Sequence, residues 1–449
     1  MRPISLKCST AGRIVNQRCA AQTGKPAPNG SVYWISPRPY GSKVVSHAPN
    51  SSANFCASGN GNFLMKKSPL LVIFFVVFFD LLAFGIVIPI LPYYSKTFGA
   101  SAFELGWLMA VYSIMQFLFA PFWGGLSDRI GRRPVLLFTI LGGASCMVAT
   151  ALAGDYWILF AARLLAGIFG ANISTATAYI ADVTSEENRA KGMGIIGAGF
   201  GLGFIFGPAL GGILSVHGYA TPILIAAGLG LANFLFAFFV LEESREANSK
   251  PAGRKFSAAG LRLAFARNST AIPIGLFFLS TLAFTQLEVI FGLYVLGKFG
   301  YGAQQAGYLL AGMGVVSAIL QGGLIGRLAK KYGEKKLLPV GFFFMAVSLL
   351  GAPFSPTVAL FGLFLFGIAI GNGLVNPSLS SLVSKGAPAD KRGSVLGIFQ
   401  SGSSLARVVG PPLAGLLFDR VGPASPMFLS CGLMFVAALG ALSSRRRLA

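Results

Sequence analysis

Charge is scarce in this chain. Only 11% of its 449 residues are Asp, Glu, Lys or Arg, against about 25% in soluble globular proteins. Acid is scarcer still, with 14 Asp and Glu against 36 Lys and Arg. Histidine occurs twice, at His47 and His217, and cysteine five times. Cys8, Cys19 and Cys56 lie near the start, while Cys146 and Cys431 sit alone in apolar stretches; this spacing argues against a metal site and a disulfide framework. No H-E-x-x-H, G-x-S-x-G or G-x-x-x-x-G-K-[ST] occurs, so an enzyme and an ATP-driven machine are not expected. A G-x-G-x-x-G does occur at Gly192 to Gly197. No strand precedes it and no acid follows at the needed spacing, so it is not read as a dinucleotide site.

Apolar sequence fills the space that charge leaves. The chain is 54% hydrophobic, with a mean hydropathy of +0.70, 40 Phe and 58 Gly. Runs of about 20 apolar residues span a bilayer. Twelve such segments follow Ser68, with cores near 69–93, 104–126, 134–153, 157–182, 191–216, 221–241, 271–297, 303–328, 337–354, 357–383, 392–418 and 424–443. The fold class expected is an all-α polytopic membrane protein. The net charge of +22 falls mainly in alternate loops, the bias that keeps basic loops cytoplasmic, and no base-reading module accompanies it, so the bilayer is the expected partner and nucleic acid is not. Only Lys96, Lys298 and Arg420 lie on the other side, which predicts an even helix count and two cytoplasmic termini.

Residues 1–64 differ from the rest, with seven Lys or Arg and no acid. They suit either an organelle transit peptide or an over-long gene reading, the latter favoured by Met65-Lys66-Lys67-Ser68-Pro69 directly before the first segment. The polar stretch 244–270 is the expected linker between a six-helix bundle over 65–243 and a second over 271–449. The halves repeat. Gly326 to Lys335 echoes Gly124 to Arg133 at an offset of 202, with Lys330 in place of Asp128, and Arg189 to Gly194 recurs as Arg392 to Gly397 at an offset of 203. Gly207-Pro208 recurs as Gly410-Pro411 at that same offset. Two parallel repeats imply two bundles around a midplane cavity.

The stretch Gly124 to Arg133, GGLSDRIGRR, sets Asp128, Arg129, Arg132 and Arg133 between two apolar segments, with Gly124 and Gly131 allowing a tight turn. It resembles the loop between helices 2 and 3 of the major facilitator superfamily. The fifth segment carries Gly199, Gly203, Gly207 and Gly211 four residues apart, with Pro208 and Gly212 among them. Such a row allows close helix approach. It resembles the antiporter signature G-x-x-x-G-P-x-x-G-G, read there as a bend and seal between halves. Arg163 to Ala171 in the fourth segment, and DLLAFGIVIPILP from Asp80 in the first, resemble the twelve-helix drug:proton antiporters, tetracycline and multidrug exporters above all. The resemblance implies export of lipophilic or cationic small molecules across a bacterial inner membrane in exchange for protons. It implies no cofactor beyond the proton gradient, and a monomer is the expected form. It also implies a latch of Asp128, Arg132 and Asp182. The third and ninth cores lack the acid that tetracycline exporters carry, which sets this chain apart from them. Nutrient uptake on the same fold is the alternative.

Four ionisable residues lie within apolar segments: Asp80, Arg163, Glu288 and Arg407. Each costs several kcal/mol in lipid, about 3 on insertion scales, and so needs a partner or a wet cavity. Glu288 and Arg407 match in depth and can pair; Arg163 lies nearer the outer end and matches Asp80 less well. These four are the proton-coupling candidates. Candidates for the substrate cavity are the polar Gln116, Asn172, Gln286, Asn372, Asn376 and Gln400, with the aromatic Tyr112, Tyr179, Phe284 and Phe291.

Overall fold

The computed structural model describes residues 69–185, 189–244, 265–388 and 392–444. The basic extension, the candidate start at Met65 and most of the 244–270 linker lie outside them. Among the described residues the fold is all-helical, and twelve rods account for nearly all of it. They are α1 (Pro69–Val87), α2 (Ala102–Ile130), α3 (Arg132–Ala151), α4 (Tyr156–Val183), α5 (Arg189–Leu214) and α6 (Ala220–Val240), then α7 (Asn268–Phe299), α8 (Ala303–Tyr332), α9 (Glu334–Gly351), α10 (Val358–Gly386), α11 (Arg392–Arg420) and α12 (Ser425–Ser443). Helix is the economical answer to lipid, because every backbone N–H finds its carbonyl within the segment. Ten rods are long and apolar enough to cross a bilayer. The two others, α5 and α11, are diluted by glycine, serine and charge, and α5 keeps a shorter apolar stretch, Gly201–His217.

Local chemistry sets the ends. Ser101 and Glu104 form a reciprocal capping box at the start of α2. The Asp155 carboxylate accepts from the Trp157 and Ile158 amides to start α4. Gly300, at φ 68°, closes α7 in the left-handed region. The rods are also interrupted. A turn at 88–90, where Pro89 has no N–H to give, separates α1 from a short helix Leu91–Thr97. A 3₁₀ turn at Gly170–Asn172 breaks α4 beside Asn172, and one wide π turn at Leu320–Leu324 breaks α8.

Packing repeats with the sequence. In α1–α6, helix α1 lies on α5 and α6, and α3 on α4 and α6; in α7–α12, α7 lies on α11 and α12, and α9 on α10 and α12. Between these groups α2 meets α11 and α5 meets α8. The contacts are backbone-close. A Cβ at Gly212 would meet the Gly307 Cα at 2.9 Å, and one at Gly307 would meet the Pro208 carbonyl at 2.6 Å. Gly106 lies against Pro411 and Pro412, Gly415 against Ala102 and Phe103, and Gly292 against Pro92 and Tyr93. Among the described glycines, every such approach between the groups lies toward the face opposite the basic loops.

The tightest seam inside one half joins α1 to α5. A Cβ at Gly85 would meet the Gly203 carbonyl at 2.7 Å, and one at Gly207 would meet the Gly85 Cα at 2.6 Å. Gly207→Leu is therefore expected to destabilise the protein by about 1–3 kcal/mol or more, as overpacking does. Gly275→Leu, where an added Cβ meets nothing within 4 Å, is expected to be near neutral. Thermal unfolding of both variants in detergent checks this, and equal midpoints would contradict the seam.

Candidate functional site

Helices α1, α2, α3, α4 and α6 enclose a cavity of about 50 Å³ within the first half. A water needs roughly 10–15 Å³ of such space, so several fit, and a drug-sized molecule does not. Asp80, Tyr112, Arg163 and Asn172 line it, with the Thr139 and Thr150 hydroxyls. Asn172, held at the 3₁₀ turn, donates its amide to Asp80 Oδ2 at 3.2 Å. Arg163 is 6% exposed and lies over the Tyr112 ring, 4.6 Å from its centroid. Its Nε has no hydrogen-bond partner among the described residues. A guanidinium keeps its charge in a protein, and among the described residues Asp80 is the only carboxylate lining this cavity. Asp80 and Arg163 thus share one cavity, which their spacing in the sequence did not suggest. Gln116 braces the same region by donating to the Gly170 carbonyl at 2.8 Å.

The second half holds its own pair, with Arg407 Nη1 3.9 Å from Glu288 Oε2. Asn376 donates to Asn372 at 2.9 Å, Gln400 is exposed and Phe284 is half-buried. Three further cavity candidates are buried. Tyr179, 2% exposed, packs in the apolar core of α1, α3, α4 and α6. Phe291 stacks on Phe361, and Gln286 is fully buried with no partner for its amide among the described residues. Their side chains lie on the packed faces of their helices, which composition does not distinguish from a wet face.

The loop patch is a joint built on one buried cation. Arg132, 5% exposed, gives Nη2 to Asp128 at 2.7 Å, Nε to Asp182 at 2.9 Å and Nη1 to Ser127 Oγ at 2.7 Å. Gly131, at φ 105°, lets the chain reverse between α2 and α3. Glu243, just past α6, accepts from the Arg132 and Arg133 amides at 2.8 and 3.1 Å and caps α3. Arg133 donates to the Phe238 carbonyl at 2.6 Å, and Arg129 is exposed.

Residues 73–411 match the sequence profile of the Major Facilitator Superfamily. The chain belongs to that superfamily. Its superfamily relatives include the class D tetracycline resistance protein of Salmonella ordonez, 31% identical over 79% of this chain and 90% of that protein. The class C tetracycline resistance protein of Escherichia coli is 33% identical over 79% and 91%. Multidrug resistance protein 2 of Bacillus subtilis (strain 168) is 28% identical over 84% and 94%. In fold it is similar to the human organic anion transporter MFSD10, with a TM-score of 0.64 and 24% identity, covering 83% of this chain and 99% of that one. A bacterial homolog of human Spinster, inward-facing and unoccupied, gives 0.71 at 15% identity over 85% and 97%. The chain is thus a multi-pass membrane transporter and not an enzyme.

Within this superfamily frame the glycine row of α5 needs correction. Gly199, Gly203, Gly207 and Gly211 face α1 of their own half, while Gly212 and the Pro208 carbonyl meet α8 of the other. A four-residue spacing puts glycines on one face without naming the helix that face meets. Two features went unread. Glu243 caps from a distant segment. In the second half Glu334 pairs with Lys385 and accepts from Ser381 Oγ at 2.9 Å. These are the positions of Arg132 and Asp182, 202 and 203 residues on, with the signs exchanged. The repeat offset carried that signal.

Gly131→Ala strains a positive φ and drives a methyl into the Glu243 carboxylate. Glu243→Gln removes only a charge at a helix N-terminus, worth about 0.3–1 kcal/mol. Gly131→Ala is expected to lower the thermal midpoint more than Glu243→Gln does. The reverse order would argue that the joint rests on the Glu243 charge rather than on the turn at Gly131.

Proposed function

We propose that the chain exports lipophilic or amphipathic small molecules across the bacterial inner membrane in exchange for protons. Its halves rock about a site between them. The basic-loop face is cytoplasmic and, because the close contacts between halves gather at the other face, the state described here is open to the cytoplasm. The relatives named for tetracycline and multidrug resistance support export of such compounds.

The observation that carries the coupling is the shared cavity of Asp80 and Arg163. With Asp80 ionised, the cavity is neutral overall. With Asp80 protonated, Arg163 is an uncompensated buried cation, which is costly in lipid. Any change that brings or removes counter-charge near Arg163 therefore changes the affinity of Asp80 for a proton. If proton and substrate favour opposite states of the halves, the gradient drives export. Glu288 and Arg407 form a second ion pair, in the other half, that is the further candidate for this role, and no cofactor takes part.

Reconstitution in liposomes with an imposed pH gradient and a panel of fluorescent cationic and neutral drugs tests this. Drug movement against its gradient, with matching proton counterflow, is expected; flux indifferent to the gradient would contradict antiport. Asp80→Asn is expected to abolish coupled export while the protein still inserts, and normal export by that variant would remove Asp80 from the proton path. Asp128→Asn is expected to slow turnover about tenfold without removing drug binding, since it alters only the balance of states. Unchanged turnover would count against the loop joint as a latch.

A further inference from the structure

We propose that Asp419 is a positioning residue for transport, whose carboxylate latches the two halves together at the face opposite the basic loops. The proposal rests on the rocking-halves reading above. Asp419 lies at the end of α11, where its carboxylate meets the first turn of α2 in the other half. Asp419 Oδ1 accepts from the Ala102 amide at 3.3 Å, and Oδ2 accepts from the Phe103 amide at 2.8 Å.

The fit is one of complementary gaps. A helix begins with unpaired N–H groups. In α2, Ser101 Oγ takes the Glu104 amide at 3.2 Å, the Leu105 amide already reaches the Ser101 carbonyl, and Glu104 returns to the Ser101 amide. This box leaves the amides of Ala102 and Phe103, the two that Asp419 takes. One half makes part of the cap and the other half completes it. The backbones beneath are fixed by Gly415 against Ala102 and Phe103, and by Gly106 against Pro411 and Pro412. Those contacts set the distance at which the carboxylate reaches.

The contact is also conditional. A carboxylate at a helix C-terminus faces the negative end of its own helix dipole. Asp419 gains only while the positive end of α2 is presented to it, and it loses that partner when the halves part. Glu104, the neighbouring acid on α2, is occupied with Ser101, and Arg420 is the adjacent cation on α11. Among the described residues the equivalent junction of α5 with α8 shows no such latch: the position 203 residues before Asp419 is Val216, and Gln305 caps its own helix by accepting from the Gly302 amide at 3.1 Å. The Tyr93 hydroxyl, donating to the Tyr301 carbonyl at 3.2 Å, adds a polar contact between halves at the same face.

The test is a distance measurement on the full chain in lipid nanodiscs. Spin labels go on Leu152→Cys and Phe354→Cys, each 71% exposed at this face on opposite halves, with the native cysteines replaced by serine. Asp419→Ala is expected to raise the ratio of long to short distances about three- to tenfold, the size of a lost helix cap. Asp419→Asn keeps an acceptor without charge and should fall between. Glu104→Gln, which alters a cap within one half, should leave the ratio as in the parent. Gly106→Trp wedges the same junction apart by bulk. If it lengthens the distance while both Asp419 variants match the parent, the latch is wrong and the rocking reading stands. If even the wedge changes nothing, the halves do not part at this face, and the reading falls together with the latch.

Discussion

Two helices can touch backbone to backbone only where side chains are missing, and this transporter is assembled on that constraint. In lipid there is no hydrophobic gain from bringing one apolar helix against another, so close packing must supply the attraction. Gly85 against Gly203 and Gly207 brings α1 and α5 to that limit. The seam fixes the axial position of α1, and with it the depth at which Asp80 faces Asn172. The same device joins the halves at Gly106, Gly212, Gly307 and Gly415. The seams of α2 on α11 and of α5 on α8 between halves are as extensive as those within a half, and their close glycine approaches lie toward one end.

Charge obeys a matching rule. The buried cations are held very differently. Arg132 is satisfied by two carboxylates and a hydroxyl, which makes it a structural bolt. Arg163 has an aromatic face and a cavity, which leaves its electrostatics open to change. Taking a partner from a fully paired buried ion leaves a costly uncompensated charge, and a buried ion with fewer partners depends more on what else lies near it. That contrast separates the joint that frames the first half from the cluster proposed above for coupling.

Much of this was legible in the sequence. Twelve apolar runs became twelve rods, because a bilayer leaves the backbone no alternative to helix. The loop patch itself displayed Asp128 and Arg132, and the resemblance to the superfamily added Asp182. What was not legible depended on tertiary contact. The partner of the α5 glycine row, the inward packing of Tyr179 and Phe291, the sharing of one cavity by Asp80 and Arg163, and the capping by Glu243 and Asp419 all join segments distant in the chain. Periodicity names the face of a helix but not what lies opposite. The interruptions at 170–172 and 320–324 were likewise hidden, because glycine in a lipid-facing run reads equally as packing and as a break.

The exchanged signs of the two loop joints carry a historical consequence. If the halves descend from one duplicated ancestor, Arg132 with Asp182 and Glu334 with Lys385 descend from one pair. Any path from one arrangement to the other changes the two residues in turn and passes through a stage with like charges, or an unpaired charge, at the joint. The side chain of Arg132 is 6% exposed, so such a stage in the first half would bury an unmatched ion. The side chain of Lys385 is 63% exposed, and water there would have screened the mismatch. The second half was the one free to invert.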